Sequence, residues 1–493
     1  MAEILLGDLP ESNAARLGED RWAIRHGDDV VTWGGLADRA RRRGRALSAA
    51  GIGVGDRVVL ALPNSNALFE LTFALWKIGA TPTMVSSRLP RAELEGVIAL
   101  AEPRAVIAAE PALRVALDAL PPQFGVDHPD GSPFETRVSP CWKVMTSGGS
   151  TGRPKLIVDH GPARMDSANF AQLGIPEDGV LLNAGPLYHN FPFATAHIGL
   201  INGCSVVGME KFDAERFLDL VEQFRVEWVT LVPTTMNRIA RLPRTVLDSH
   251  DMSSLRAVWH TAAPMPPTLK RFWIDWLGPE RVWEIYGGSE GFATTQIGGL
   301  DWLERPGSVG RCVGGEIRIV GPDGESLPPG EVGEIYMRRE GVTPETANYH
   351  YVGAESRRLP DGFESLGDHG RVDEDGFLFI ADRRTDLILS GGHNIYPAEV
   401  ESALLGHPDV AEAIVIGLPH ADMGAVVHAI VRLEPGTEAS VDDLLAFAAE
   451  NLVAYKLPRT IEFTDQPLRD EMGKARRSRL REERIAAMEQ EKG

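Results

Sequence analysis

Short apolar runs that alternate with amphipathic stretches dominate the first two thirds of the chain. Between residues 56 and 110, the runs RVVLALP, ATPTMVSS and AVIAAE have the length of buried strands, and they alternate with helix-like segments such as ALFELTFALWKIGA. This alternation is typical of a parallel sheet with helices on its faces. It returns in VLLNAGPL, GCSVVGM, EWVTLVP and AVWHTAAP. The sequence therefore predicts two related α/β lobes.

The pattern changes after Gly310, where strand-like segments follow one another through tight turns. We expect a small β-rich subdomain there. From Pro397 onward, helix- and strand-like segments form an α+β unit that is small enough to fold alone and to move as one body. The predicted fold class is α/β. An N-terminal domain over residues 1–384 contains the two lobes and the β-rich subdomain, and a small mobile α+β C-terminal domain follows over residues 385–493.

Composition limits the possible classes of protein. The chain has 493 residues, and more than one domain follows because single hydrophobic cores stop growing near roughly 250 to 300 residues. Apolar residues make up 43% and charged residues 24%, which is the balance of a globular protein. The formal net charge of -20 disfavours a nucleic-acid partner, since binding along a phosphate backbone requires clustered Lys and Arg.

The cysteines and the apolar runs indicate a location. Cys141, Cys204 and Cys312 lie far apart without a CxxC pair, which disfavours a disulfide framework or a zinc cluster and fits a reducing compartment. The N-terminus lacks the features of a signal peptide, and no uncharged apolar run of about 20 residues occurs. We expect a cytoplasmic protein without a membrane span.

The first segment with chemical information is SGGSTGRPK at residues 147–155, directly after the strand-like WKVMT. Glycines let backbone N–H groups converge on an anion, hydroxyls add donors, and Lys155 adds a positive charge, so a polyphosphate would fit. A Gly/Ser cluster alone is more often a flexible turn. The segment does not match the Walker pattern G-x-x-x-x-G-K-[ST], which disfavours a P-loop ATPase.

This loop resembles the phosphate loop of the adenylate-forming superfamily, which includes acyl-CoA synthetases, luciferases and peptide-synthetase adenylation domains. The resemblance covers nearly the whole chain, with the motifs in the expected order, and is closest to acyl-CoA synthetases. Gly148 stands where the family usually has a hydroxyl residue. The resemblance implies that the nucleotide contacts Ser147, Gly149, Ser150, Thr151, Gly152 and Lys155.

The segment YGGSEG at residues 286–291 follows the strand-like RVWEI and resembles the family motif Y-G-x-T-E. The resemblance implies that Tyr286 and Gly287 border the nucleotide, that Ser289 contacts the α-phosphate, and that Glu290 binds Mg²⁺ together with Ser150. A carboxylate beside phosphates is useful mainly as a metal ligand. The loop bordering the adenine is implied to be Ala262, Ala263 and Pro264. The alternative is a capped turn with a solvated Glu.

A third match spans the segment from Leu366 to Glu401. It implies that Asp368 and Arg383 bind the ribose, since a carboxylate accepts well from vicinal hydroxyls. Gly391 and Gly392 resemble the loop that faces the site during thioester formation. Thr385 occupies the hinge position, where a charged residue is usual, and a hinge must only absorb a φ/ψ change.

Two further residues complete the predicted site. Lys474 lies in RDEMGK, which resembles the family motif whose lysine reaches the adenylation site, and a compact charge on a long stem suits neutralisation there. His189 lies in PLYHN, which resembles the segment that borders and gates the acyl pocket. A solvated lysine and a buried structural histidine are the alternatives.

The resemblance implies a two-step reaction that uses ATP, Mg²⁺ and coenzyme A. A carboxylate attacks the α-phosphate, pyrophosphate leaves, and the C-terminal domain then rotates so that the acyl group passes to coenzyme A. Transfer to a separate carrier protein, an amine or another nucleophile, oxidation of the adenylate, or a non-catalytic nucleotide-binding relic remain alternatives. Apolar or small residues at 188–196, 232–233 and 287–288 favour an aryl, medium-chain or steroid-type acid over acetate or a free amino acid.

Overall fold

The computed structural model of the chain describes residues 3–148, 154–343, 346–383, 386–390, 393–420, 422–470 and 473–490. At positions 147–148, 167–169, 382–383, 394 and 489 only the backbone is described. Within these ranges, no helix combines the length and the apolar character needed to cross a membrane.

The first lobe is built on a six-stranded sheet, mostly parallel at its centre and antiparallel at one edge. In spatial order its strands are Tyr349–Val352, Pro154–Asp159, Val144–Gly148, Thr81–Met84, Arg57–Ala61 and Ala105–Ala108. The predicted strands of this lobe are thus present. The helices that pack around it are Asn66–Lys77, Arg91–Ala101 and Pro111–Leu117.

The second lobe and the β-rich subdomain share one sheet of 14 strands. Its parallel part runs in the order Val282–Tyr286, Ala257–His260, Trp228–Leu231, Val180–Asn183, Ser205–Gly208 and Trp22–His26, and Asp29–Thr32 forms the edge. The antiparallel part continues from Val282–Tyr286 through Thr294–Gly298, Gly310–Val313, Phe377–Arg383, Glu364–Val372, Gly333–Arg339 and Gly315–Val320, with Arg357–Arg358 beside Glu364–Val372. The β-rich segments after Gly310 therefore extend the lobe's sheet.

Helices cover both faces of the large sheet. They are Leu9–Leu17, Trp33–Ala49, Asn190–Ile201, Ala214–Phe224, Pro233–Ala240, Arg244–Leu247, Pro267–Leu277 and Gly299–Glu304. Short 3-10 turns occur at Leu6–Asp8, Ser167–Leu173 and Pro279–Arg281, and Ile4–Leu5 pairs with Arg164–Met165. The helix Asn190–Ile201 is apolar on nearly every side and is buried at nine positions, because it lies between the two lobes.

The C-terminal part has its own sheet and its own core. The strands are His393–Ile395, Ile388–Ser390, Gly424–Leu433, Val410–His420 and Thr460–Phe463, and the helices are Pro397–Leu405, Val441–Ala449 and Arg477–Gln490, with a 3-10 turn at Ala454–Lys456. Val400, Leu404, Val415 and Leu444 are buried in this core. A separate core is what a unit that moves as one body requires. The boundary at residues 384 and 385, and with it the hinge at Thr385, lies outside the described residues and stays a prediction.

Candidate active site

Two loops at the carboxyl edge of the large sheet form the floor of the site. The strands Ala257–His260 and Val282–Tyr286 are parallel neighbours, and His260 lies opposite Glu284. Their following loops therefore emerge side by side, where α/β sheets usually bind ligands. A cleft of about 2850 Å³ opens above them. The predicted site residues that line it are Lys155, His189, Ala262, Ala263, Pro264, Tyr286, Gly287, Ser289, Glu290, Asp368 and Lys474.

Lys155 and Glu290 meet in this cleft although they are far apart in the sequence. Lys155 Nζ lies 3.5 Å from Glu290 Oε1 and 3.8 Å from the centre of the Tyr351 ring. The Tyr351 hydroxyl donates to the same Glu290 oxygen at 2.5 Å. Glu290 is 6% exposed. A buried carboxylate is thus held by a cation and a hydroxyl, and its other oxygen, Oε2, points toward Gly288.

Tyr351 and Asn348 are site residues that the sequence analysis missed. Asn348 donates from its side-chain amide to the backbone oxygens of Glu290 and Gly291, at 2.8 and 3.0 Å. Burial and the Glu290 charge raise the pKa of Tyr351, so its hydroxyl stays a donor. Both residues belong to the edge of the first lobe, where Tyr351 pairs with Ile157. No local motif marks this long-range pairing.

At the predicted ribose end, the Tyr286 hydroxyl donates to Asp368 Oδ2 at 2.8 Å. Asp368 is 7% exposed and lies opposite Arg383 across an antiparallel strand pair. The register of the two strands thus places the backbones of Asp368 and Arg383, the predicted ribose-binding pair, side by side. The Arg383 side chain lies outside the described part of the structure, so its contact with a ribose stays a prediction.

The predicted adenine loop has an unusual backbone and contacts the C-terminal domain. Ala262 has a φ of 77°, a left-handed conformation that is costly for a residue with a side chain and is found mostly where ligands bind. A Cβ atom added at Gly473 would lie 2.7 Å from Thr234 Oγ1 and 4.0 Å from Ala263 Cβ. Gly473 therefore packs beside Thr234 and close to this loop. The next residue, Lys474, lines the cleft.

His189 is held neutral. Burial first, and then the charge of Lys474, lower the pKa of His189 to about 3. Its ring lies 4.5 Å from that of Tyr188, between centroids, at the start of the helix Asn190–Ile201. Burial raises the pKa of Tyr188. A neutral aromatic pair suits the wall of an acyl pocket and does not carry a charge into it.

Apolar side chains form part of the lining of the cleft. Phe191, Ala194 and Ile198 line the cleft from one face of the helix Asn190–Ile201, at helical spacing. Phe170 and Ile285 line it as well. Near residues 232–233, Val232 is buried, and the adjacent Thr234 and Thr235 line the cleft.

Gly287 and Gly288 differ in what surrounds them. A Cβ atom at Gly287 would meet Thr294 Cγ2 at 2.9 Å, whereas one at Gly288 would overlap Glu290 Oε2 and lie 2.8 Å from Leu366 Cδ2. The sequence analysis treated both glycines as walls of the acid pocket. Both glycines line the cleft, and at Gly288 the absence of a side chain also leaves room for the Glu290 carboxylate.

Side chains other than Lys474 also join the C-terminal domain to the N-terminal domain. Arg241 forms an ion pair with Glu434 and donates to the backbone oxygen of Val410 at 2.6 Å. Arg476 pairs with Glu93 at 3.0 Å. These contacts hold the domain in the arrangement that places Lys474 in the same cleft as Lys155 and Glu290.

Several predicted residues cannot be located. Gly149, Ser150, Thr151, Gly152, Gly391 and Gly392 lie outside the described residues, as does the side chain of Ser147. The strands that flank the phosphate loop are paired, with Ser147 opposite Lys155. The roles of these residues stay predictions.

Comparison with known proteins extends over both domains. The model of the AMP-binding enzyme family matches residues 10–345, and the model of the AMP-binding enzyme C-terminal domain matches residues 399–474. The two matches together cover most of the chain.

Individual relatives are similar along their whole length. A feruloyl-CoA synthase of Amycolatopsis sp is 35% identical, over 94% of this chain and 95% of that protein. An indoleacetate–CoA ligase of Aromatoleum aromaticum is 30% identical, over 95% of this chain and 96% of that protein. The solved o-succinylbenzoate CoA synthetase of Bacillus subtilis, in complex with its acyl-adenylate intermediate, superimposes with a TM-score of 0.83 at 26% identity, over 97% of this chain and 98% of that chain.

Proposed function

The chain belongs to the AMP-binding enzyme family, and we propose that this member joins a bulky, largely apolar acid of the aryl type to coenzyme A. It is an AMP-forming acid–thiol ligase, which activates a carboxylic acid as its acyl-AMP with release of pyrophosphate. The observation that carries the proposal is that Lys155 and Glu290, which lie 3.5 Å apart, line one cleft together with Lys474 and with apolar side chains. A nucleotide-binding relic would have no need of Lys474 in that cleft.

In the first half-reaction we assign positioning and charge neutralisation to the chain's own residues. Asp368 would accept from the ribose, and Tyr286 would hold that carboxylate in place. Lys155 and Lys474 would balance the charge of the carboxylate and of the phosphates, and Ser289 would donate to the α-phosphate. Fixed charges in a closed cleft stabilise such a transition state without reorganisation. The phosphate loop, with Ser147, Ser150 and Thr151, would complete the cradle.

The residues near Glu290 fit a magnesium ion. Mg²⁺ usually takes one or two protein carboxylates together with phosphate oxygens and waters. Glu290 is buried, and Lys155 and Tyr351 both contact its Oε1 atom. Glu290 would hold the ion, with Ser150 as its predicted second ligand, and the bound ion would neutralise phosphate charge.

The proposed class of acid rests on the apolar side chains that line the cleft. They are Phe170, Phe191, Ala194, Ile198 and Ile285, and the neutral His189 lines the same cleft. Such walls favour an aromatic or extended apolar body over a charged one. The names of the relatives, which refer to feruloyl, indoleacetate and o-succinylbenzoate acids, support the same class.

For the second half-reaction we propose that the C-terminal domain rotates and that the Gly391–Gly392 segment replaces Lys474 at the site. Coenzyme A is the proposed acceptor, and a carrier-protein thiol or an amine is the alternative.

We also propose a cytoplasmic location. All three cysteines are free, and burial raises the pKa of Cys204 to about 12, so its thiol is unreactive.

The experiment is ATP–pyrophosphate exchange with a panel of acids, followed by mass analysis of the product with coenzyme A. We expect exchange with hydroxycinnamate- and indoleacetate-type acids to exceed exchange with acetate and free amino acids, and acyl-CoA to accumulate. Exchange with acetate alone would contradict the acid class. An acyl-AMP that reacts with an amine but not with coenzyme A would contradict the acceptor.

A further inference from the structure

We propose that Arg469 is a positioning residue for adenylation, which places Lys474 through the backbone oxygen of the preceding residue, Gly473. The inference rests on the proposed function, because it concerns the step in which Lys474 acts. It adds a role for Arg469 that is exerted through Lys474. The observations are a set of linked hydrogen bonds within the C-terminal domain.

The turn that carries Lys474 is closed by its own backbone. Asp470 N donates to the Lys474 oxygen at 3.0 Å, and Gly473 N donates to the Asp470 oxygen at 2.9 Å. The Asp470 carboxylate accepts from Lys474 N at 2.9 Å, and Gly473 has a φ of 74°, which glycine adopts without strain. These bonds hold Asp470, Gly473 and Lys474 in a fixed arrangement.

Arg469 ties this turn to the core of the domain. Its Nη1 atom donates to the Gly473 oxygen at 3.0 Å, and its Nη2 atom donates to Glu401 Oε2 at 2.9 Å and to the Ala413 oxygen at 3.2 Å. The Arg469 side chain is 14% exposed. One planar guanidinium thus bridges the turn and a buried carboxylate, a task that its fork geometry suits.

Glu401 is the centre of the network. It is 4% exposed and accepts from Val415 N at 2.8 Å. Arg477 donates to both of its oxygens, from Nη2, at 2.8 Å each. Two guanidinium groups and one amide therefore fix a carboxylate on the helix Pro397–Leu405, and charge-assisted hydrogen bonds of this kind are the strong ones.

The network extends toward the hinge. Arg477 Nη1 donates to Asp386 Oδ2 at 3.0 Å, and Asp386 follows directly after the predicted hinge residue. A continuous path thus runs from Asp386 through Arg477, Glu401 and Arg469 to the Gly473 oxygen. The path holds Lys474 at a fixed place relative to Asp386, so Lys474 would enter or leave the cleft together with the rest of the domain. A misplacement of about 1 Å can lower a rate by about 10²-fold.

The test compares Arg469→Lys with Arg484→Met. A lysine can keep the charge next to Glu401, but it cannot also hold the Gly473 oxygen with the geometry of the fork. Arg484 forms a similar half-buried ion pair, with Glu462 at 2.7 Å, in the same domain and apart from the turn. Pyrophosphate release measures adenylation, and acyl-CoA formation from supplied acyl-AMP measures the second half-reaction.

We expect Arg469→Lys to lower kcat for adenylation by about 10- to 100-fold, with KM for ATP and the rate of thioester formation nearly unchanged. Arg484→Met should leave both rates near the wild-type values. Retained thioester formation also shows that the C-terminal domain is folded. If Arg469→Lys loses that activity through unfolding, Arg477→Lys, at the more exposed end of the network, provides the same comparison.

Equal loss in both half-reactions for a folded variant, or an Arg469→Lys adenylation rate equal to that of Arg484→Met, would overturn the inference. Lys474→Ala is measured in parallel. If Lys474→Ala keeps adenylation, the proposed role of Lys474 itself fails. If it loses adenylation while Arg469→Lys keeps it, only the positioning role fails.

Discussion

The Tyr286 hydroxyl donates a hydrogen bond to the Asp368 carboxylate at 2.8 Å, which joins two motifs that are 82 positions apart in the chain. Because Asp368 is nearly buried, a substitution that removes its carboxylate would leave a ligand hydroxyl without an acceptor. We expect Asp368→Ala to cost about 1 to 3 kcal/mol of ATP binding and to raise KM for ATP by about 5- to 150-fold. Initial rates at varied ATP check this, with the exposed Asp375→Ala as the control. An unchanged KM would remove Asp368 from the nucleotide site.

The substitution Tyr351→Phe tests the hydrogen bond to Glu290 that the sequence analysis did not predict. The substitution removes the hydroxyl that donates to Glu290 Oε1 and leaves the ring below Lys155 in place. We expect a loss of about 1 to 3 kcal/mol, seen as a higher Mg²⁺ requirement for pyrophosphate release. Tyr349→Phe is the matched control, because Tyr349 lies on the same strand but donates to Glu364. Equal Mg²⁺ dependence of both variants would separate Tyr351 from the metal site.

The candidate site residues that the sequence offered lie in contiguous segments. Residues of the loops ending at Pro264 and Glu290, together with Lys474, line one cleft, and their roles stay predictions. A segment such as YGGSEG can be recognised without knowledge of the rest of the fold.

Contacts that depend on sheet order could not be predicted. Tyr351 reaches Glu290 because its strand pairs with Pro154–Asp159, and no spacing in the sequence specifies that pairing. Likewise, Trp22–His26 joins the sheet of the second lobe beside Ser205–Gly208, although it precedes every strand of the first lobe's six-stranded sheet. Pairing over such distances depends on the packing of the whole chain.

The stability of the protein should fall in mild acid because of His197. This residue is fully buried among Phe69, Phe73, Trp76 and Phe193, and burial lowers its pKa to about 4, from 6.5 in the unfolded chain. The unfolded state therefore binds a proton below pH 6.5 that the folded state refuses until about pH 4. Stability is lost as the pH falls through this window, by up to about 1.4 kcal/mol for each pH unit.

Urea denaturation at pH 7, 6 and 5 measures this slope. We expect His197→Asn to be less stable at pH 7, since its smaller side chain leaves a cavity, but to lose less stability on acidification than the wild type. Identical slopes for the two proteins would show that His197 does not carry the acid sensitivity.

The ion pair of Arg241 and Glu434 joins the two domains in the arrangement that places Lys474 in the cleft. We expect Arg241→Gln to lower adenylation relative to thioester formation by about 1.4- to fivefold, as partly exposed ion pairs contribute about 0.2 to 1 kcal/mol. Arg318→Gln, which breaks an ion pair with Asp361 inside the N-terminal domain, is the control. A ratio that does not change in Arg241→Gln would mean that the contact does not bias the domain arrangement.

The central claim is that one site performs two reactions, with Lys474 present for the first and absent for the second. The most direct measurement takes Lys474→Ala and assays pyrophosphate release from ATP and acid separately from acyl-CoA formation with supplied acyl-AMP. A side chain on the mobile domain cannot occupy the cleft together with the segment that replaces it. We therefore expect adenylation to fall by orders of magnitude while thioester formation stays near the wild-type rate. Equal defects in the two assays would contradict the account.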